Sequence, residues 1–260
     1  MTRGIRRLKA LGFPCWLLWQ QNGLRLGRMG AGIRKLLADY RALKSGGNQR
    51  FELSPYTLLP YTNDCVATTP LDPVYFYQDT WAARKIFASK PTKHIDIGSS
   101  AKTVGIISQF VPITMIDIRP IILKLDGLTF LKGSILAIPL ADQSVESLSS
   151  LCVIEHIGLG RYGDPVDAFG SEKAAAELKR VLAVGGNLYV SVPVDDQCRV
   201  YFNAHRAFTR DAVMGLFDGL SLVEEKYQYG EALVDRYDPS LGFGTGLFHF
   251  RRDGGRGGPQ

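Results

Sequence analysis

Cysteine is scarce: there are four in 260 residues, and Cys15, Cys65, Cys152 and Cys198 stand far apart. No Cys-x-x-Cys occurs, and none has a ligand-like spacing to the histidines. This excludes a disulfide scaffold, argues against a zinc site and fits a reducing cytosol, so no metal is expected. Long apolar runs are lacking too. Phe13 to Trp19 is short of the roughly 20 residues that span a bilayer and has no small-residue cleavage site after it. Neither a membrane span nor a secretory signal is therefore expected. There is no internal repeat. Acid is nearly absent from residues 1–50, which hold 11 Lys/Arg against Asp39 alone, a balance of +10; the remainder is −4. The positive field belongs to an N-terminal arm, which suits an anionic surface.

The length fits one large domain with additions. Residues 1–50 read as a basic amphipathic arm. Ile33, Leu36, Leu37 and Tyr40 share one helical face, Arg34, Lys35, Arg41 and Lys44 fall elsewhere, and Trp16 and Trp19 lie nearby. Such a helix either packs with its cations solvated or lies in a membrane interface. Ser45-Gly46-Gly47-Asn48 marks a break. Residues 51–252 form the body, opening on an irregular lead-in over 51–73 and a helix over 75–89 that stops before Pro91. The glycine-rich stretch 253–260 reads as a disordered tail.

From residue 93 strand and helix alternate, with strands predicted at 94–97, 113–118, 128–132, 146–153, 187–194, 220–229 and 245–251. The clearest helix is 171–184, capped by Ser171, with a buried stripe of Ala174, Leu178, Val181 and Leu182, and stopped by Gly185-Gly186. The pattern predicts an α/β fold with a mostly parallel seven-stranded sheet covered on both faces.

One segment carries chemistry. His94-Ile95-Asp96-Ile97 runs into Gly98-Ser99-Ser100, a short helix follows, and a second strand ends on Asp117, about 20 residues after the turn. This arrangement offers backbone amides to an anion and a carboxylate to ribose hydroxyls, and Ser99 or Ser100 is placed to cap the helix. Gly-x-Gly-x-x-Gly is absent, which disfavours a pyrophosphate and with it a nicotinamide dehydrogenase. A smaller anion, such as an amino-acid carboxylate, demands less.

Two further blocks narrow the class: Leu128 to Ile157, with Asp142-Gln143-Ser144-Val145 before a strand and Glu155-His156 after it, and Leu178-Lys179-Arg180-Val181-Leu182 followed by Gly185-Gly186-Asn187-Leu188. With them the sequence resembles the class I S-adenosylmethionine-dependent methyltransferases. At Glu155 to Pro165, Tyr75 to Asp79 and Phe202 to Arg206 it looks like an uncharacterised methyltransferase-like family of unknown function from bacteria and nematodes, over roughly residues 72–250.

The resemblance implies a Rossmann-like fold and S-adenosylmethionine as cofactor. It places Asp96 and Gly98 at the methionine end and Asp117 on the ribose. Ser134 stands where many relatives carry an acid that meets the adenine amine, and Ser99, Ser100 and Leu151 complete the cofactor set. Glu155 and His156 close the fourth strand, Arg161, Tyr162 and Asp164 follow in the next loop, and His205 and Arg206 come from the loop after the fifth strand. This group suits an oxygen nucleophile: His156 or His205 takes a hydroxyl proton and Arg161 anchors a carboxylate or phosphate. Alternatively Glu155 and His156 only brace the loop, and Arg161 and Asp164 pair with each other.

The expected function is methyl transfer to an oxygen of a small-molecule, sugar or glycolipid acceptor, in the cytoplasm or at the inner face of a membrane. The alternative is a catalytically inactive binding or scaffold module recruited to an anionic membrane through residues 1–50. Nucleic acid is disfavoured, because the body is acidic and no Asn-Pro-Pro-Tyr-type motif follows the fourth strand.

Overall fold

A computed structural model describes residues 30–46, 50, 51, 53–61 and 64–254. The chain divides into two compact units, Met1–Pro70 and Leu71–Gln260, later than the break read at Ser45 to Asn48. Trp16, Trp19 and residues 255–260 of the tail lie outside the described residues. Asp253, read as part of that tail, is held by the Ser221 hydroxyl. In the first unit, residues 30–45 form a helix, α1. Leu36 and Tyr40 are half-buried there, while Ile33, Leu37 and Leu43 are exposed. Among the described residues no helix is long and apolar enough to cross a membrane.

The second unit opens with α2 (Pro73–Ser89). Its first turn is set by Pro73 and by the Asp72 carboxylate accepting the Val74 N–H, and it ends at left-handed Lys90. Then come β1 (His94–Ile97), α3 (Ala101–Ile107), β2 (Ile113–Asp117), β3 (Leu128–Lys132), β4 (Val145–Leu151), α4 (Gly170–Val181) and β5 (Leu182–Val194). The chain continues through β6 (Arg199–Tyr201), β7 (His205–Ala207), α5 (Arg210–Leu216), β8 (Ser221–Tyr229), β9 (Ala232–Val234) and β10 (Gly244–Arg251).

The main sheet runs β3-β2-β1-β4-β5-β10-β8-β9. It has eight strands, not seven: β9, only three residues long, extends the edge as a hairpin with β8. From β3 to β5 every pairing is parallel, and β10 enters antiparallel to both neighbours. β6 and β7 form a separate two-stranded ribbon.

Three local expectations are corrected. β4 ends at Leu151, so Glu155 and His156 stand in a 3-10 turn, Ile154–His156, beyond the strand. α4 has no side-chain cap, because the Ser171 hydroxyl donates to the Ile154 carbonyl at 2.7 Å. Gly185-Gly186 does not stop that helix: Leu182 is already extended and starts β5, and the two glycines lie within that strand, where its register against β4 shifts.

Side chains alternate along β5, so Leu188, Val190 and Val192 join one core and Tyr189 the other. The first core gathers Leu148, Leu178, Val181, Phe217, Phe248 and Phe250; the second sets Trp81, Ile86, Val104 and Ile107 against Met115 and Leu247. Two buried faces are why the central strands read as nearly continuous apolar runs. Leu148→Ala in the middle of β4 is expected to cost about 2–5 kcal/mol. Urea denaturation checks this, and a loss within measurement error would contradict the assigned core.

Candidate active site

The carboxyl edge of the sheet is organised by a buried chain of polar groups. Asp96 accepts the Ser99 N–H at 3.0 Å and the Ser149 hydroxyl, so it can only receive. The Ser149 oxygen therefore accepts from His94 Nε2 at 2.9 Å, and His94 Nδ1 accepts the Ser147 hydroxyl at 2.7 Å. At the other end the Leu151 N–H donates to Ser99 Oγ at 2.9 Å. Burial holds His94 down to about 3 and raises Asp96 to about 6, so His94 is neutral and Asp96 anionic at pH 7.

This chain corrects several placements. Asp96 is 1 % exposed and braces the turn from beneath. Ser99 is spent on β4, and Leu151 packs in the second core instead of facing a ligand. Ser100 sits at the cap position of α3 without a side-chain bond. The Gly98 N–H is also engaged, donating to the Ile116 carbonyl at 2.9 Å.

Above this floor a cleft opens to solvent at the ends of β1, β2 and β4. Its apolar walls include Ile97, Ile116, Ile118, Ile135, Leu136 and Val153, and Gly98, Asp117 and Ser134 bring the polar groups. Gly98 has φ 71°, and a Cβ there would stand 3.1 Å from Val153 Cγ1, so glycine is needed both for the turn and for the space. Asp117 Oδ1 accepts the Arg119 N–H at 2.8 Å. Its Oδ2 has no protein donor among the described residues and points toward Gly98. Ser134 Oγ accepts the Leu136 N–H at 3.2 Å, which leaves its hydroxyl proton to donate. Of the lining residues, sequence reasoning missed the apolar walls together with Arg119 and Cys152. Arg119 had one signal, a cation two places after the acid.

The loop after β4 supplies the opposite wall. His156 Nδ1 donates to the Ala204 carbonyl at 2.7 Å, which leaves Nε2 without a proton, 3.7 Å from Glu155 Oε1. Arg161 Nη1 donates to the same carbonyl at 2.8 Å. Arg161 and Asp164 do not pair with each other. Asp164 accepts the N–H groups of Gly158 at 2.7 Å and Tyr162 at 3.2 Å, and so folds the loop. Tyr162 lies edge-on to His156 at 5.6 Å, with the Arg119 guanidinium 4.5 Å and that of Arg161 5.2 Å from its ring. His205, on β7, stands 6.5 Å from His156 between centroids, whereas Arg206 turns away to the carbonyls of Ile157 and Asp167. Thus the structure brings Glu155, His156, Arg161, Tyr162 and His205 together. Asp164 and Arg206 hold the loop.

Burial sets the electrostatics. It lowers His156 to about 4 and also lowers His205, with Arg161 adding to the latter. Burial would raise Asp164, but the backbone N–H donors outweigh it and hold that carboxyl below its usual range. Glu155 is 1 % exposed with Oε2 unpartnered, and burial pushes it up to about 8. Because its folded value exceeds the unfolded one, the neutral carboxyl favours folding at low pH. That contribution is lost as pH rises through about 8. Glu155→Gln, which cannot ionise, should therefore match the wild type near pH 5 and exceed its thermal midpoint near pH 9. Equal midpoints at both pH values would contradict a buried, protonated Glu155.

Similarity to known proteins bears on the fold. Residues 139–234 match a family model described as "Caenorhabditis protein of unknown function, DUF268". No curated protein sequence matches the chain. Among solved structures, the N-methyltransferase NodS from Bradyrhizobium japonicum WM9 superposes with TM-score 0.54 at 18 % identity, over 70 % of this chain and 98 % of that one. The same enzyme in complex with S-adenosyl-L-homocysteine gives 0.52 at 16 %, over 74 % and 91 %. A protein from Galdieria sulphuraria, provisionally assigned as a sarcosine dimethylglycine methyltransferase, gives 0.52 at 16 %, over 68 % and 86 %. The chain has the Rossmann-like fold of the class I S-adenosylmethionine-dependent methyltransferases, and its residues 139–234 match a family of unknown function.

Proposed function

We propose that this protein is an S-adenosylmethionine-dependent methyltransferase acting on an oxygen of a small-molecule, sugar or glycolipid acceptor. The observation that carries the reading is Asp117 at the cleft. One carboxylate oxygen is tied to the Arg119 backbone and the other is left for a ribose diol. The residues present fit the cofactor. Ile118, Ile135, Leu136 and Val153 offer an apolar slot for a base, Ser134 offers it a hydroxyl, and the missing Cβ of Gly98 leaves room beside Asp117. The bound cofactor supplies an electrophilic methyl group. The protein's own part is to hold the acceptor in line with it and to keep water out, which accounts for the plain chemistry of the surrounding side chains. His156, Arg161, Tyr162 and His205 stand where an acceptor would be held.

Calorimetry on the purified protein should show binding of S-adenosylhomocysteine, and Asp117→Ala should weaken it by about 10- to 100-fold, the worth of a charge-assisted hydrogen bond. No binding at millimolar ligand, with the fold intact by circular dichroism, would sink the proposal.

A second reading concerns place. On α1, Ile33, Leu37 and Leu43 stay exposed beside Arg34, Lys35, Arg41 and Lys44, a composition suited to an anionic bilayer surface. Vesicles containing phosphatidylserine should float the full chain and lose it when residues 1–50 are deleted. If the shortened chain floats equally, the arm is not the anchor.

A further inference from the structure

The acceptor end of the cleft is rich in nitrogen, and the carboxylates that line the cleft, Asp117 and Asp164, are each engaged by backbone N–H groups. Arg161 and His156 converge on the Ala204 carbonyl, the His205 ring stands 6.5 Å from that of His156, and Arg119 reaches the same region across Tyr162. The acids of these loops are committed elsewhere. Asp164 holds the N–H groups of Gly158 and Tyr162, Asp167 holds Lys173 and the Phe169 N–H, and Asp195 holds Arg199 and the Tyr201 hydroxyl. Glu155 is buried and keeps its proton at neutral pH. Asp117 and Asp164 also line the cleft, but each is held by backbone N–H groups, whereas Arg161 has no acidic partner among the described residues and is the group an anion would meet.

The same groups lack a strong base. His156 gives its Nδ1 proton to Ala204, and its other nitrogen lies beside the Glu155 carboxyl. Burial leaves both imidazoles less basic than an ordinary histidine, and the guanidinium of Arg161 lowers them further. An alcohol or an ammonium group must lose a proton before it can attack a methyl group. A carboxylate is already ionised at neutral pH.

Beside these nitrogens is an aromatic shelf. His205 lies 5.2 Å from Tyr201 and 5.3 Å from Phe243 between ring centroids, and both neighbours are exposed along with Tyr162. Flat apolar groups stack on such surfaces.

We infer that the acceptor is an aromatic carboxylate, held by Arg161 with its ring on the shelf of His205, Tyr201 and Phe243, and methylated on a carboxylate oxygen. The inference rests on the methyltransferase reading above. In the transfer, a carboxylate oxygen forms the bond to the methyl carbon as the carbon–sulfur bond breaks, and the electron pair goes to sulfur. The products are a methyl ester and S-adenosylhomocysteine. The negative charge of the acceptor and the positive charge of the sulfonium cancel, no proton is released, and no base is needed. Arg161 is thus a binding residue that selects the acceptor by charge, and His156 helps to fix the loop.

The test uses the full chain saturated with S-adenosylhomocysteine, titrated with benzoate, phenyl phosphate, benzyl alcohol and benzylamine. Benzoate should bind at least about tenfold more tightly than the alcohol and the amine. The preference should persist in Arg161→Lys and vanish in Arg161→Gln. Equal or tighter binding of the amine or the alcohol overturns the inference, as does tighter binding of phenyl phosphate, no benzoate binding at millimolar concentration, or a preference that survives Arg161→Gln. Failure to bind S-adenosylhomocysteine at the outset would instead sink the methyltransferase reading itself.

Discussion

The site depends on one buried run of hydrogen bonds, from Ser147 through His94 and Ser149 to Asp96 and on to the Ser99 amide. Serine hydroxyls and the imidazole each donate one way and accept the other, so with His94 neutral and Asp96 ionised every member is satisfied. It joins β1 to β4 through side chains where the backbone ladder between them is short, with two Cα pairs in register. It also holds the turn at Gly98 in a left-handed conformation and so keeps the cleft open beside Asp117. A half-satisfied version would leave charge buried without compensation, at a cost of several kcal/mol. The floor is therefore held by side chains as well as by the backbone ladder.

Much of the frame was readable in the sequence. β1 to β3 and Asp117 follow from apolar runs bounded by turns, and the spacing from Gly98 to Asp117 reports the strand order directly. What was not readable has physical reasons. β9 and the β6–β7 ribbon are three-residue strands whose pairing depends on partners far along the chain. Leu182 continues the apolar period of α4, and burial suits it equally at a helix end or a strand start. Asp96 lies on a strand buried on both faces, so alternation could not tell whether its carboxylate points to a ligand or into the sheet. Cys152 and Val153 line the cleft through tertiary placement alone.

Charge is divided by region. The arm gathers cations, the body is net acidic, and the acids of the loops around the cleft are engaged by backbone amides, lysine or arginine, with Asp117 Oδ2 left over. That leaves Arg161 without an acidic partner among the described residues, in a body of net negative charge. Net charge alone would have pointed the other way, so local pairing is the better guide to what enters.

The strand order has a consequence for how the molecule is made. β10 lies between β5 and β8, yet it is translated after both. When the β8–β9 hairpin leaves the ribosome, its place in the sheet does not yet exist, and the edge of β5 is bare. Phe248 and Phe250, which fill the core under both strands, arrive with β10 itself. The first five strands and the cleft floor can form during synthesis. The β8–β9 hairpin waits at the far edge until its keystone is delivered, and during that interval its unpaired strand is open to wrong partners.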